Sequence, residues 1–302
     1  MRRRVRRVAV AMAVVGAVIS GCGSGPNQVG SAAIIGSDTV SLSQVQSRLD
    51  AALANPDVVS QLAARGVGTD DIARDVVTRA VMHDLLERTA ATEGLTVTDA
   101  QIDQELAAAG GMDVLLRSSL YDRDSLRQRF RDQLLAIELA KRYVDRLTVV
   151  VDIVGAASRA DAEAKARAIA AGGSAADAAF RVNAQRGLPF RAASDPGTAS
   201  MVLFGTPARQ IVVFQPAPSQ SGWLVLKVVD RKTDAAPAGP SAVSQIDEAT
   251  LAAIGERLVQ PLSQELGVRV NPRYGVWDPI RMRVVAAGQE AGSIITPGGE
   301  LR

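Results

Sequence analysis

Apolar residues recur three and four positions apart through the first half of the chain and again near its C-terminal end. This spacing places apolar side chains on one face of a helix. It predicts long helices over about 42–54, 70–93, 99–109, 124–146 and 244–266. Ser41 with Gln44, and Thr98 with Gln101, have the spacing of a capping box at a helix start. Pro261 lies inside the last helix and should kink it or mark its final turns.

The middle of the chain has a different pattern. Short runs of β-branched and other apolar residues predict buried strands at 147–154, 210–214 and 223–229, and a shorter strand at 32–35. An alanine-rich segment at 159–171 predicts a helix, whereas 185–200 is expected to be irregular. Together these elements predict an α+β protein that is mainly helical.

The first 21 residues have the organisation of a secretion signal. Five arginines fall within the first seven residues, and 8–19 carry no charge. This apolar run is too short to span a bilayer, which needs roughly 20 residues, but it suits the central region of a signal peptide. The ending Ile19-Ser20-Gly21-Cys22 resembles the lipobox of bacterial lipoproteins.

That resemblance implies a lipoprotein. The signal peptide would be residues 1–21, and Cys22 would receive a diacylglyceryl group and become the N-terminus, where acylation can add a further chain such as palmitate. Residues 22–31 are small and polar and would form a flexible tether from the membrane. The alternatives are a plain signal peptide or a single anchor helix with an incidental cysteine.

Charge and cysteine content narrow the possible functions. The whole chain has 34 basic and 32 acidic residues, but five of the basic ones belong to the predicted signal peptide. The remaining 29 basic and 32 acidic groups give a net charge of −3, so no basic footprint for nucleic acid is present. Since Cys22 is the only cysteine, the chain can form no internal disulfide.

The order of elements resembles the SurA/PrsA group of extracytoplasmic folding factors. The similarity lies in the strand, turn and helix start at 34–41, in the segments 91–103 and 126–135, and in 244–280, which resembles the return segment of actinobacterial members. It implies a SurA-like helical domain over 32–147 plus 241–280, completed by a C-terminal return helix. The insert at 148–236 would be a small α/β domain of the parvulin type, and 281–302 a partly disordered tail.

The insert lacks the residues that a parvulin-type prolyl isomerase uses. Parvulin sites have histidines on the first and last strands, whereas this chain has Asp152 on the first and no histidine on the last. We therefore expect no isomerase activity and no catalytic residues. The alternative is an active isomerase with an unusual site, in which Asp152 and hydroxyl groups replace the histidines.

No other residues predict catalytic, cofactor or metal chemistry. His83 is the only histidine and is expected to be structural, since nothing pairs with it in sequence. Asp70-Asp71 and Asp122-Arg123-Asp124 precede helices, where carboxylates favour the positive end of the helix dipole. No cofactor and no metal are therefore predicted.

The sequence thus predicts a lipid-anchored protein on the extracytoplasmic face of the membrane. It would hold unfolded or partly folded secreted polypeptides without catalysis, in a cradle between the helical domain and the insert. The alternative is a dedicated interaction subunit of one envelope complex. Both need only a binding surface, so the sequence leaves them open.

Overall fold

The computed structural model describes residues 28–216, 222–239 and 243–297. The chain is α+β and mainly helical, which confirms the predicted class. A short 3₁₀ helix, Gln28–Gly30, precedes the first strand. The α-helices are α1 (Leu42–Leu53), α2 (Pro56–Ala63), α3 (Thr69–Glu93), α4 (Asp99–Ala108), α5 (Met112–Arg117), α6 (Arg123–Tyr143), α7 (Arg159–Ala171), α8 (Gly173–Ala179), α9 (Pro196–Ala199), α10 (Val202–Gly205), α11 (Glu248–Leu258) and α12 (Gln260–Leu266).

Strands of the described ranges form three antiparallel sheets. They are β1 (Ser31–Ile35), β2 (Asp38–Ser41), β3 (Thr148–Ala156), β4 (Ala184–Arg191), β5 (Ile211–Phe214), β6 (Trp223–Lys232), β7 (Val268–Val270), β8 (Val276–Asp278), β9 (Arg283–Val285) and β10 (Gly292–Ile295). The sheet orders are β2-β1-β7, β10-β5-β6-β3-β4 and β8-β9. No helix in the described ranges is both long enough and apolar enough to cross a membrane.

The helical part is built around α3 and α6. The predicted capping box of Thr98 and Gln101 forms, since each caps the other. The Ser41 hydroxyl accepts the Gln44 N–H and so caps α1, but the Gln44 side chain does not return the bond. The buried face of α3 packs with α1, β1 and α6 in one core. The end of α3 packs with α4 and the start of α6 in a second core.

The C-terminal helix returns to α6 as predicted, but it is broken into two. Gly255 on α11 lies against the backbone of Ala136 on α6, so closely that an added Cβ would fall 1.9 Å from the Ala136 carbonyl oxygen. Val259 separates α11 from α12, and Pro261 occupies the first turn of α12. The first N–H groups of a helix have no intrahelical partner, so a proline there removes no hydrogen bond. A break before α12 therefore suits Pro261 better than a kink inside one continuous helix would.

The five-stranded sheet is covered on both faces. Helix α7 packs on one face through Ala162, Ala166 and Ile169. The other face shares a core with α6, α9, α10 and α11. The insert and the helical part therefore share one hydrophobic core.

The prediction that residues 185–200 are irregular is wrong, because this segment contains β4 and the short helix α9. Strand β4 forms the edge of the large sheet and pairs with β3, as in Val149 with Phe190. Its side chains are mostly exposed or half-buried, so the sequence has no alternating apolar pattern. The backbone pairing with β3, which the sequence does not display, holds the strand in place.

The expected ends of the folded part also need correction. Ser31, assigned to the tether, begins β1 and is 4% exposed. The tail expected to be partly disordered from 281 contains β9, which pairs with β8, and β10, which pairs with β5. Asp278 fixes this segment, since its buried carboxylate accepts the N–H groups of Ile280, Arg281 and Ala291. Residues 298–302 lie outside the described ranges.

A buried polar network also joins the two parts. Arg257 on α11 donates to the Ser200 carbonyl oxygen at 2.9 Å and to Gln260 Oε1 at 2.7 Å. Gln260 in turn donates to Thr206 Oγ1 at 3.1 Å, next to α10. Burial lowers the pKa of Arg257 to about 10. These bonds connect the return helices to the insert in a fixed arrangement.

Candidate functional site

A cleft of about 690 Å³ lies among α1, α3, α6, α11 and β9, and we call it the helical cleft. Its apolar wall consists of Met82, Leu86, Leu120 and Met282. Its charged lining consists of Arg48, Arg79, Arg129, Arg281, Arg283, Asp75, Asp132 and Glu256. None of the described residues between 134 and 248 lines it. The cleft therefore lies within the helical part, and not between that part and the insert, where the cradle was expected.

The loop before α6 forms one side of the helical cleft and is held by two contacts. Asn55, which caps α2, donates its amide to the carbonyl oxygens of Arg117 and Ser119. Asp122 caps α6 by accepting the Ser125 N–H at 2.7 Å. The loop carries Leu120 and Tyr121 into the cleft from between these two anchors.

Tyr121 positions two arginines of the cleft. The Arg79 guanidinium lies 4.4 Å from the centre of the Tyr121 ring, and that of Arg129 lies 5.6 Å from it. Both distances are within the range of a cation–π contact. Arg79 also pairs with Asp75 at 3.2 Å. The ring thus holds positive charge at the cleft, with one guanidinium nitrogen of Arg79 already paired to Asp75.

Two carboxyl groups of the cleft have raised pKa values. Burial raises the pKa of Asp132, although the hydrogen bond with His83 opposes that shift. Burial also raises the pKa of Glu256, with a further contribution from the nearby Asp132. The Glu256 side chain is open to solvent through the cleft even though protein surrounds it on most sides, and it has no hydrogen bond or ion pair with any residue that the structure describes.

The single histidine belongs to a polar cluster next to this cleft. His83 Nδ1 lies 2.7 Å from Asp132 Oδ1, a partner 49 positions away that the sequence did not indicate. Together with Glu87 these residues place one potential metal-ligand atom each within 4.8 Å of one another. Arg131 already pairs with Glu87 at 2.5 Å, so one of the three potential ligands is engaged by the protein itself. We interpret it as an ion-pair network.

The acidic residues expected to cap helices do so. Asp71 accepts the Gly68 N–H at 2.9 Å and pairs with Arg74, and these contacts lower its pKa. Asp122 caps α6 as described above. Cys22 and the predicted signal peptide lie outside the described residues.

Asp152, the residue of the alternative isomerase site, is 5% exposed. Its carboxylate accepts the Gly187 N–H at 2.8 Å and lies 3.4 Å from Arg186 Nε. It therefore links β3 to β4 at the irregularity in their pairing. Asp152 lines neither the helical cleft nor a second cavity of about 460 Å³ beside Trp223.

The helical cleft could not be found from the sequence. Its residues come from segments up to 235 positions apart, between Arg48 and Arg283. The apolar members fall on ordinary helix stripes, which the sequence assigns to the core. The only local signal was the unusual density of arginine and aspartate on the first turns of α6.

The comparison with protein families decides the identity of this helical part. A model described as the SurA-like N-terminal domain matches residues 1–140. This segment is similar to a SurA-like N-terminal domain. The resemblance to the SurA/PrsA group is thereby confirmed over the segment that supplies α1 to α6. The SurA-like domain contributes most of the wall of the helical cleft.

Solved structures give only distant likenesses. The foldase protein PrsA from Lactococcus lactis is 12% identical, with 80% of this chain and 94% of that chain covered and a TM-score of 0.27. A chain from the study of PEB4 and Cj1289, SurA-like chaperones of Campylobacter jejuni, is 13% identical. The match covers 80% of this chain and 97% of that chain, with a TM-score of 0.19. Both TM-scores are too low to bear on function. A comparison with curated proteins gave no match.

Proposed function

We propose that this protein is a lipid-anchored, extracytoplasmic chaperone that holds unfolded secreted polypeptides without catalysis. The observation that carries the proposal is the helical cleft within a SurA-like domain. A cleft of this volume with both apolar and charged walls accommodates a segment of extended chain. Holding works by mass action, because a bound segment is withdrawn from the pool that aggregates.

Outside the helical cleft, the described surface has the smaller cavity beside Trp223 and five exposed large apolar side chains. The exposed large apolar side chains are Val29, Val114, Val182, Met201 and Val229, which are far apart in the sequence. Single exposed apolar residues are normal on soluble proteins, whereas a client chain needs a contiguous surface. In the helical cleft, the half-buried Met82 and Leu120 offer apolar surface, whereas Leu86 and Met282 are buried, at 2% and 6% exposed.

The absence of catalysis is part of the proposal. The Asp152 carboxylate is already engaged by Gly187 and Arg186 and faces neither cavity, which supports a structural role in joining β3 to β4. We expect no acceleration of proline-limited refolding of a model protein, and no change on Asp152→Asn apart from stability. An acceleration that Asp152→Asn abolishes would instead support an isomerase.

Partition between detergent and aqueous phases tests the lipid anchor. We expect the full chain to enter the detergent phase and to incorporate labelled palmitate, because two or more acyl chains hold a protein stably at a membrane. Cys22→Ala should remain in the aqueous phase and incorporate none. Equal partition of the two proteins would contradict lipidation at Cys22.

Holding is tested by light scattering of an aggregating model protein. We expect the soluble part of the chain to suppress aggregation and Leu120→Asp to lose most of that suppression, since it places a charge on the apolar wall. Val229→Asp, on an exposed position of β6, is the matched control and should retain it. Equal activity of both variants would remove the helical cleft from the mechanism, and no suppression by the parent chain would refute the holding function.

A further inference from the structure

The charges of the helical cleft are unevenly matched. Five arginines line it against three carboxylates. Arg48 on α1, Arg129 on α6 and Arg283 on β9 have no carboxylate of a described residue within 4.0 Å, and we call them the arginine triad. They reach one cleft from three different elements, so their charges are directed at a shared space.

The arginine triad is partly preorganised. Arg48 donates to Gln128 Oε1 at 2.5 Å, and its pKa is lowered chiefly by burial. Arg129 is held near the ring of Tyr121, as described above. A half-buried arginine without an anionic partner is costly to keep charged, and a bound carboxylate would relieve this cost.

The carboxylates of the cleft do not provide that partner. Asp132 is taken by His83, and Asp75 is taken by Arg79. Glu256 on α11 has no ion pair with a described residue. Burial raises its pKa, although the charges of Arg257 and Arg129 act in the opposite direction from beyond ion-pair distance. The carboxylates of the cleft therefore leave the arginine triad without a close ion pair, and an anionic group from another molecule could supply one.

We propose that the helical cleft selects acidic segments of unfolded client chains. The client's carboxylates would bind at the arginine triad, where the planar guanidinium can donate two hydrogen bonds to one carboxylate. Apolar side chains next to them in the client would pack on the apolar wall. This inference rests on the proposed holding function and adds the class of segment that is held.

Binding of labelled peptides tests the proposal by fluorescence anisotropy. Three peptides share one leucine pattern and differ only in having glutamate, glutamine or lysine at the intervening positions. We expect the glutamate peptide to bind about tenfold more tightly than the glutamine peptide, a ratio equal to about 1.4 kcal/mol. The difference should shrink at high salt, because the contributing charges are partly exposed.

Variants then separate the arginine triad from general positive charge. Arg48→Gln with Arg129→Gln should bring the glutamate peptide down to the affinity of the glutamine peptide. Arg65→Gln, an exposed arginine outside the cleft, is the control and should change nothing. Glu256→Gln should act in the opposite direction and tighten binding of the glutamate peptide about twofold to threefold, since it removes a like charge. Cooperative denaturation with midpoints no lower than that of the parent would show that the variants are folded.

The outcomes distinguish this inference from the function on which it rests. Equal binding of the glutamate and glutamine peptides, or the strongest binding for the lysine peptide, would overturn the acidic preference. If aggregation of the model protein were still suppressed, the holding function would stand without the acidic preference. Failure to bind any peptide together with failure to suppress aggregation would overturn both.

Discussion

Glu256 illustrates how the cleft changes the chemistry of a single residue. It lies on α11, directly after the tightly packed Gly255, and faces the helical cleft. Its pKa is raised by burial and by the nearby Asp132. An acid with a raised pKa in the folded state favours the protonated form there, so folding binds a proton near and above the ordinary pKa of glutamate.

We therefore predict that Glu256→Gln changes stability in a pH-dependent way. Below the ordinary glutamate pKa the side chain is neutral in both the folded and the unfolded state, so variant and parent should be equally stable. As the pH rises through the raised pKa, the parent loses stability relative to the variant. At neutral pH we expect the variant to be more stable by about 0.5 kcal/mol, a small value because solvent reaches the group.

Urea denaturation at acidic and neutral pH measures this difference. Glu265→Gln, an exposed glutamate outside the cleft, is the control and should behave like the parent at both values. A variant less stable than the parent at neutral pH would show that Glu256 has a stabilising partner.

His83 shows, at the scale of a single residue, that a sequence does not reveal which distant side chains meet. The sequence correctly gave no local partner for it, yet α3 and α6 bring Asp132 to 2.7 Å. Two helices in contact align residues that lie 49 positions apart, and nothing in a single sequence records which faces meet. The interpretation of His83 as structural agrees with this geometry, but its partner depended on packing.

At the scale of elements, the crossing of α6 and α11 holds the return segment. The absence of a side chain at Gly255 lets the two helix backbones approach more closely than larger residues would allow. Glycine normally weakens a helix interior by up to about 1 kcal/mol relative to alanine. Its presence on α11 is explained by the close approach to Ala136.

We predict that Gly255→Ala destabilises the protein by about 3 kcal/mol, although alanine is the better helix former. The added methyl group would overlap the Ala136 carbonyl, and overpacking of this kind forces the helices apart. Urea denaturation of the variant measures the loss. Gly197→Ala in α9 is the matched control, because its added Cβ meets nothing closer than 3.8 Å. Similar midpoints for the two variants would contradict a tight crossing.

The elements themselves were largely predictable. Helices α1, α3, α4, α6 and α7 begin and end close to where their caps and apolar stripes placed them. The elements that the sequence did not predict include β4 and the two strands of the tail, β9 and β10. These strands are short or mostly exposed and are held by partners distant in the chain, so the local pattern carries little of the reason that they form.

At the scale of the whole molecule, the C-terminal segment closes the large sheet. Strand β10 pairs with β5, and Ile294 and Ile295 contribute to the cores on opposite faces of that sheet. Gly292 lies so close to Val213 that an added Cβ would fall 1.8 Å from the Val213 carbonyl oxygen. Without β10, the edge of β5 would present unpaired backbone groups.

We predict that a chain ending at residue 289 is less stable and associates in solution. Loss of two buried isoleucines removes about 4 kcal/mol or more of apolar burial, and an open strand edge is a template for pairing with another chain. Thermal unfolding and size-exclusion chromatography measure the two effects. A chain ending at residue 297 keeps β10 and is the control. A monomeric and equally stable shorter chain would show that β10 contributes nothing to closure.

The sequence by itself determined the α+β class, the main helices with their caps, the lipobox-like N-terminal pattern and the lack of parvulin histidines. Each of these is written in residue types at short spacing, where local propensity and periodicity act. Only the tertiary structure decided the helical cleft, the arginine triad, the partner of His83 and the closure of the large sheet by β10. These depend on which faces of distant segments meet, and that choice is made by the burial of the whole core.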